Sequence, residues 1–445
     1  MNTSHTLPPA RHRPLLLFGG LYLFWMALLF RPALVSIDGT GYYSWIQSLV
    51  VHHDLNTDPL FLTRACGGLG HSNCLFQRNP YGIGVALFLS PFFLLAHLFA
   101  PLLHAPQDGL SRPYILLCSL GSSLWGFAGL LLCWRIATLF FPERAATLAC
   151  LTLWLGSPLL FYMIPNNFLS HSVDLFVNAL FLYVYVKTRG SEHPRIWLLY
   201  GLLIGLAMTV RMPNIFLGII PVAESIARLR AGERHLGPEA VRYTPLAAGL
   251  LLAMTPQMLV WKLTRGRWFL LNPYKGATHD TIDFLHPHLW EVLFSTNHGF
   301  LLWAPAFLIA LVSLPLLARR DPRLTAGLAL LVLLDWYLVS SWDYWYGDAA
   351  FGPRLFLNLI PVAVLGLSVL LDRASARVPL SALRAVAGCL VLWTLLLMGQ
   401  YALKLIPSNT GVSVPVLLHN QLTLIPDHAG QLLHALAGHR PQPHP

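Results

Sequence analysis

The chain has 445 residues, 56% of them hydrophobic and only 11% charged, with a formal net charge of +10 and a mean hydropathy of +0.59. Soluble domains carry about 25% charge, and apolar runs of membrane-crossing length recur here from end to end. These figures exclude a disordered chain and argue against a nucleic-acid binder, and the excess positive charge is explained by where it lies.

The first apolar run covers 15–35 and is preceded by Arg11 and Arg13. It is too long for the core of a signal peptide and no small-residue cleavage site follows it, so it reads as a retained anchor with a cytoplasmic N-terminus. Directly after it, at the membrane surface, comes Asp38 in Ser36-Ile37-Asp38-Gly39-Thr40-Gly41-Tyr42-Tyr43. The two glycines let backbone approach a ligand closely, although a turn or helix-cap aspartate fits the same pattern. Residues 42–50 read as an aromatic-rich amphipathic helix lying in the interface, and Asp54 and Asp58 as solvation of the loop beyond. Cys66 and Cys74 lie in a polar loop with seven residues between them, where a disulfide suits an oxidising compartment. Cys118, Cys133, Cys150 and Cys389 sit in apolar runs and read as core residues.

Arg78-Asn79-Pro80-Tyr81-Gly82 opens the next apolar run, 82–103. Arg78 at headgroup depth suits a lipid phosphate, and plain headgroup anchoring suits it as well. Further runs follow at 113–134, 145–164, 172–186, 196–211, 213–227, 243–261, 298–318, 324–340, 355–371 and 382–401. If 82–103 does not cross, seventeen Lys and Arg fall on the cytoplasmic side and eleven outside; if it crosses, the numbers reverse. The positive-inside rule therefore makes 82–103 a re-entrant or interfacial helix on the outer side, bent at Pro91. The expected architecture is all-α, about eleven transmembrane helices plus this non-spanning one, in a domain over 1–401 with a first outer loop at 36–112. An outer-face tail, 402–445, ends in disorder.

The outer segments then hold most of the unusual polar groups. His171 follows the turn Asn166-Asn167-Phe168-Leu169-Ser170 and suits a general base, a phosphate donor or a structural role. Pro213 sets the turn at Arg211-Met212-Pro213-Asn214, where the Arg211 charge demands a partner. Lys275, His279, Asp280, Asp283, His286 and His288 cluster in 262–297, but their spacing matches no tight metal motif, so a divalent metal is possible and not favoured, and no cofactor is expected. Segment 341–354 carries Trp342, Asp343, Trp345, Asp348 and Arg354. An aromatic belt explains the tryptophans; sugar stacking, hydroxyl binding and phosphate pairing explain the whole set.

Several of these features resemble the GT-C superfamily of polytopic membrane glycosyltransferases, in particular the bacterial branch of protein O-mannosyltransferases and lipid A aminoarabinose transferases. The resemblance rests on Asp38 after the first span, the helix behind it, the Pro-led helix from Asn79-Pro80-Tyr81-Gly82-Ile83-Gly84, the turn at Leu206–Pro213 and the loop entry Phe351-Gly352-Pro353-Arg354, spread over 15–370. It implies an enzyme of the cell inner membrane, serving the cell envelope, that uses a sugar on polyprenyl phosphate or diphosphate. The acceptor is a glycan, lipid or protein at the outer face. Asp38 matches the general base, Arg78 or Arg354 would neutralise the leaving phosphate, and His171 matches a polar position of the second outer loop. Tyr42, Asn79 and Arg211 join the substrate-binding candidates. One departure stands out: relatives carry paired acids after the first span, whereas here Gly39 follows Asp38. Two other readings remain, a transporter or flippase of lipid-linked substrates and a non-catalytic assembly subunit.

Overall fold

The structure is a computed structural model and describes residues 12–66, 78–270, 273 and 281–424. Among these residues it is helical without strands, apart from one isolated bridge between Ile282 and Trp342. The first apolar run forms α1 (His12–Leu29). Ser36 then starts α2 (Ile37–Gln47), its hydroxyl accepting the Gly39 N–H at 3.0 Å, and Asp38 falls in the first turn, where a carboxylate suits the positive end of the helix dipole. A π-turn, Ser48–His52, closes in the left-handed His53, and α3 (Asp58–Cys66) and α4 (Gly84–Phe99) complete the first loop.

Then come α5 (Arg112–Thr138), α6 (Glu143–Leu155), α7 (Leu159–Met163), α8 (His171–Thr188), α9 (Pro194–Val210), α10 (Ile219–Arg230), α11 (Leu236–Val241) and α12 (Tyr243–Arg265). The second half holds α13 (Leu289–Phe294), α14 (Phe300–Trp303), α15 (Pro305–Val312), α16 (Pro322–Ser340), α17 (Ile360–Ala374), α18 (Leu380–Ala402) and α19 (Val414–His419). Prolines divide several apolar runs, since each removes a backbone donor and crowds the preceding turn. The run 145–164 breaks at Pro158, 298–318 at Pro305, and Pro213 sits in the 3₁₀ turn Met212–Gly218 that leads into α10.

Six stretches are long and apolar enough to cross a membrane: Arg112–Thr138, Met212–Arg230, Leu236–Arg265, Pro322–Ser340, Arg354–Ala374 and Leu380–Ala402. Shorter apolar helices at Arg13–Leu29, Gly84–Phe99, Pro194–Val210 and Pro305–Arg319 accompany them. The chain is thus a multi-pass membrane protein. Small residues let its helices meet closely: a Cβ on Gly201 of α9 would lie 1.9 Å from the Leu246 carbonyl oxygen of α12, and one on Gly249 of α12 would lie 2.3 Å from that of Leu198.

Polar contacts collect at two faces. At one, Arg189 pairs with Glu224 and Asp321, Arg228 with Glu224, and Arg242 with Glu192 and Glu239. Arg234–Glu192, Arg323–Glu233 and Arg320–Asp372 join the same ends of the helices. These are the segments that the charge count assigns to the cytoplasm. At the other face the first loop meets the turns at 165–171, 211–214 and 341–354. The segment 82–103 has both of its ends there. Before it, Trp45 Nε1 donates to Tyr81 O at 2.9 Å; after it, Tyr43 Oη donates to Gly109 O at 2.5 Å. Both anchors belong to the short helix α2. Its helix α4 contains Pro91 and has 16 residues, about 24 Å of rise against a hydrocarbon core of about 30 Å.

The expected interfacial helix at 42–50 is corrected in position and in setting. It begins five residues earlier, at Ile37, and residues 39–47 are buried. Its glycines face protein, not ligand: a Cβ on Gly39 would lie 2.8 Å from Phe168 Cβ, and one on Gly41 would lie 2.1 Å from the Tyr81 ring. Cys66 is disulfide-bonded. Cys74, Lys275, His279, Asp280 and the tail beyond residue 424 lie outside the described residues.

Candidate active site

The site is built around Asp38, whose side chain is 30% exposed. Tyr81 Oη donates to its Oδ1 at 2.6 Å, and Arg354 Nη1 donates to its Oδ2 at 3.0 Å. Both carboxylate oxygens therefore carry a directed donor, one neutral and one charged. The local fold fixes each donor. Asn79 Nδ2 donates to Gly41 O at 2.8 Å and to Ser44 Oγ at 3.1 Å, and its Oδ1 accepts the Tyr81 N–H at 3.1 Å. This clamps the Pro-led turn onto α2, with the Tyr81 ring 4.9 Å from that of Tyr42. Arg354 follows Gly352-Pro353, and its Nε donates to Gly347 O at 3.1 Å. Gly347 and Asp348 both adopt left-handed backbone, with φ of 81° and 56°.

A second polar layer lies next to this pair. Arg211 Nη1 donates to Asp174 Oδ2 at 3.2 Å and to Leu355 O at 3.1 Å. Asp174 Oδ1 also accepts from Asn214 at 2.7 Å and from Asn178 at 3.0 Å. A charge buried in an apolar bundle is tolerated only when partnered in this way. Asp335, also fully buried, accepts from Asn358 Nδ2 at 3.2 Å. His171 is buried, its ring 4.7 Å from that of Tyr162, and its Nδ1 has no hydrogen-bond partner among the described residues. Tyr162 Oη accepts the Phe351 N–H at 2.8 Å and so ties this layer to the Arg354 loop. Tyr42 is buried as well; burial, then the Asp38 charge, pushes its phenol up to about 12, so it stays neutral at physiological pH.

The structure thus brings together Asp38, Tyr42, Asn79 and Arg354, with Arg211 and His171 behind them. Other candidates stand apart. Arg78 is exposed and donates to Thr264 O at the end of α12, so it braces the loop, while Arg265 Nη2 returns a bond to Asn79 O at 2.9 Å. The expected grouping of Asp343, Asp348 and Arg354 is not found, since both aspartates are exposed and Arg354 pairs with Asp38. Trp342 bridges to Ile282 through backbone, and Trp345 lies 5.9 Å from the His288 ring. His286 pairs with Asp283 at 2.8 Å. Among the described residues no three His, Cys, Asp or Glu come close enough to hold a metal ion.

Sequence reasoning passed over Tyr81, Asp174, Asp335 and His298. His298 has φ +60° and holds the aromatic loop by donating from Nδ1 to Tyr346 O at 2.7 Å. The two aspartates lie inside apolar runs, and a lone acid in such a run is itself a signal.

Residues 115–261, about a third of the chain, match the family of dolichyl-phosphate-mannose-protein mannosyltransferases. Among solved structures, ArnT from Cupriavidus metallidurans in its apo state superposes with a TM-score of 0.54 at 15% identity, covering 96% of this chain and 71% of that one. The same protein bound to undecaprenyl phosphate gives 0.50 at 15% identity, covering 97% and 78%. The archaeal oligosaccharyltransferase AglB from Archaeoglobus fulgidus, in complex with an inhibitory peptide and a dolichol-phosphate, gives 0.50 at 12% identity; 96% of this chain is covered and it spans 56% of AglB. No curated protein matches by sequence. The likeness is one of fold: like these proteins, the chain is a multi-pass, helical membrane protein.

Proposed function

We propose that the chain transfers a sugar from a polyprenyl-phosphate-linked donor to an acceptor hydroxyl or amine at the outer face of the inner membrane, with Asp38 as general base. The observation that carries this reading is the Asp38 carboxylate, partly exposed in the first turn of α2, with a guanidinium 3.0 Å away. A base and a cation side by side are what the displacement needs. The acceptor's lone pair forms the new bond to the anomeric carbon as the bond from that carbon to the phosphate oxygen breaks. The acceptor proton passes to Asp38, and the electron pair leaves on the phosphate, where Arg354 meets it.

Tyr81 orients the base through Oδ1. Tyr42 and Asn79 fix its helix, and Arg211 braces the backbone beside Arg354. His171 offers its unpartnered Nδ1 to the donor phosphate. No metal is assigned to the reaction. That one of the similar structures holds undecaprenyl phosphate and another a dolichol-phosphate supports a lipid phosphate as the donor's carrier. The transporter reading expects its polar groups near the bilayer midplane with repeat symmetry, whereas Asp38 and Arg354 stand at helix ends.

The test is sugar transfer in membranes lacking and then expressing the chain, from a radiolabelled polyprenyl-phosphate sugar pool, with Asp38→Asn alongside. Transfer by the wild type and a loss of about 100-fold or more in the variant are expected. Equal transfer by both would remove Asp38 from the chemistry.

A further inference from the structure

Arg354 has one charge and two anions to serve. Its Nη1 is held by Asp38 Oδ2 at 3.0 Å and its Nε by Gly347 O at 3.1 Å. Among the described residues Asp38 is the only acid paired with it, and no other cation is paired with Asp38. While that pair stands, Oδ2 is engaged in a charge-assisted bond and Oδ1 accepts from Tyr81 at 2.6 Å, so the base is capped on both oxygens. A phosphate approaching Arg354 meets a guanidinium already neutralised by the carboxylate.

We propose that Arg354 changes partner in each turnover, from Asp38 to the lipid phosphate as Asp38 takes up the acceptor's proton. This rests on the reading of Asp38 as base and of a polyprenyl phosphate as the departing group. The charges balance along the path. Before reaction Asp38 is an anion and the donor phosphodiester carries one negative charge. Transfer of the proton neutralises Asp38, and cleavage of the glycosyl bond leaves the phosphate with a second negative charge. Asp38 loses its claim on Arg354 as the phosphate gains one. When Asp38 later gives its proton to water, its charge returns, reclaims Arg354 and weakens the hold on the spent lipid phosphate. Tyr81 and Gly347 stay in place throughout, one keeping the carboxyl aimed and the other keeping the guanidinium within reach.

Asp38→Asn mimics the protonated carboxyl in shape and charge, which gives an experiment separate from turnover. Binding of a short-chain polyprenyl phosphate to the purified full chain is measured by tryptophan fluorescence or calorimetry, with the neutral polyprenol as control. Removal of the competing carboxylate is expected to lower Kd for the phosphate about tenfold, the size of one charge-assisted hydrogen bond, with no change for the polyprenol. Equal or weaker binding overturns the exchange of partners, whatever the variant does to sugar transfer; retained transfer in the same variant removes the base reading instead. If Asp38→Asn gives no cooperative melt, the wild-type chain is coupled to glycine ethyl ester with a carbodiimide and read by mass spectrometry. Coupling at Asp38 should rise with polyprenyl phosphate over polyprenol, and unchanged or reduced coupling overturns the proposal.

Discussion

Tyr81 shows how much of a site one phenol can set. Its hydroxyl reaches Asp38 Oδ1 at 2.6 Å, and its ring lies 5.9 Å from that of Phe61, so the ring is held while the hydroxyl aims the carboxylate. Tyr81→Phe should lower kcat about tenfold, the loss of one strong hydrogen bond to a charged group, and leave the KM for the lipid donor unchanged; a shift in KM alone would place Tyr81 in donor binding. Gly39 is the residue where the expected second acid is missing, and the reason is steric. A Cβ there meets Ser36 Oγ at 2.6 Å and Phe168 Cβ at 2.8 Å, with Phe168 backbone at 3.4 Å, and a side-chain root next to the main chain cannot swing aside. Gly39→Ala should destabilise by about 1–3 kcal/mol, seen as a lower melting temperature. A silent substitution would mean that α2 can lift off the 165–170 turn. Asp38 was legible in the sequence because it is a lone acid beside an apolar run. Its partner was not, since 316 positions separate it from Arg354 and Asp343 and Asp348 lie nearer in sequence.

Among the helices, α8 and α9 are joined by charge as well as by packing. Asp174 of α8 takes hydrogen bonds from Arg211 and Asn214, which flank the turn after α9, and Arg211 continues to Leu355 O. The Asp174 side chain is fully buried and that of Arg211 is 16% exposed. Removing one partner strands the other, so Arg211→Met or Asp174→Leu alone should cost about 3–5 kcal/mol, while the double change should cost less than the sum. Melting of the four proteins in one detergent makes the cycle, and additivity would deny the pairing. The need for a partner at Arg211 was readable from the price of an intramembrane charge; that the partner lies inside an apolar run was obscured by the hydrophobicity around Asp174. Proline punctuation had the same effect on element lengths: composition marks 145–164 as one apolar run, whereas Pro158 divides it into α6 and α7.

For the molecule as a whole, alternation between two polar faces is the property most easily checked. In a chain carrying Cys389→Ser, Asn56→Cys and Gln107→Cys should react with a membrane-impermeant thiol reagent from one side, and Ala231→Cys from the other. Reaction of positions 56 and 107 from opposite sides would make 82–103 a span. The charge count that yields this expectation sums over many loops, and its signal does not depend on any one residue being read correctly. The fold class was legible for the same reason, through recurrent apolar length. The site was legible only as a list of polar residues on one face, because pairing across the bundle is set by packing that composition does not encode. The aromatic loop at 341–353 has a latitude of its own. It holds Arg354 through a backbone oxygen, that of Gly347, and its acids Asp343 and Asp348 face solvent. Side chains of this loop can therefore be exchanged by mutation without breaking the bond that positions Arg354 against Asp38.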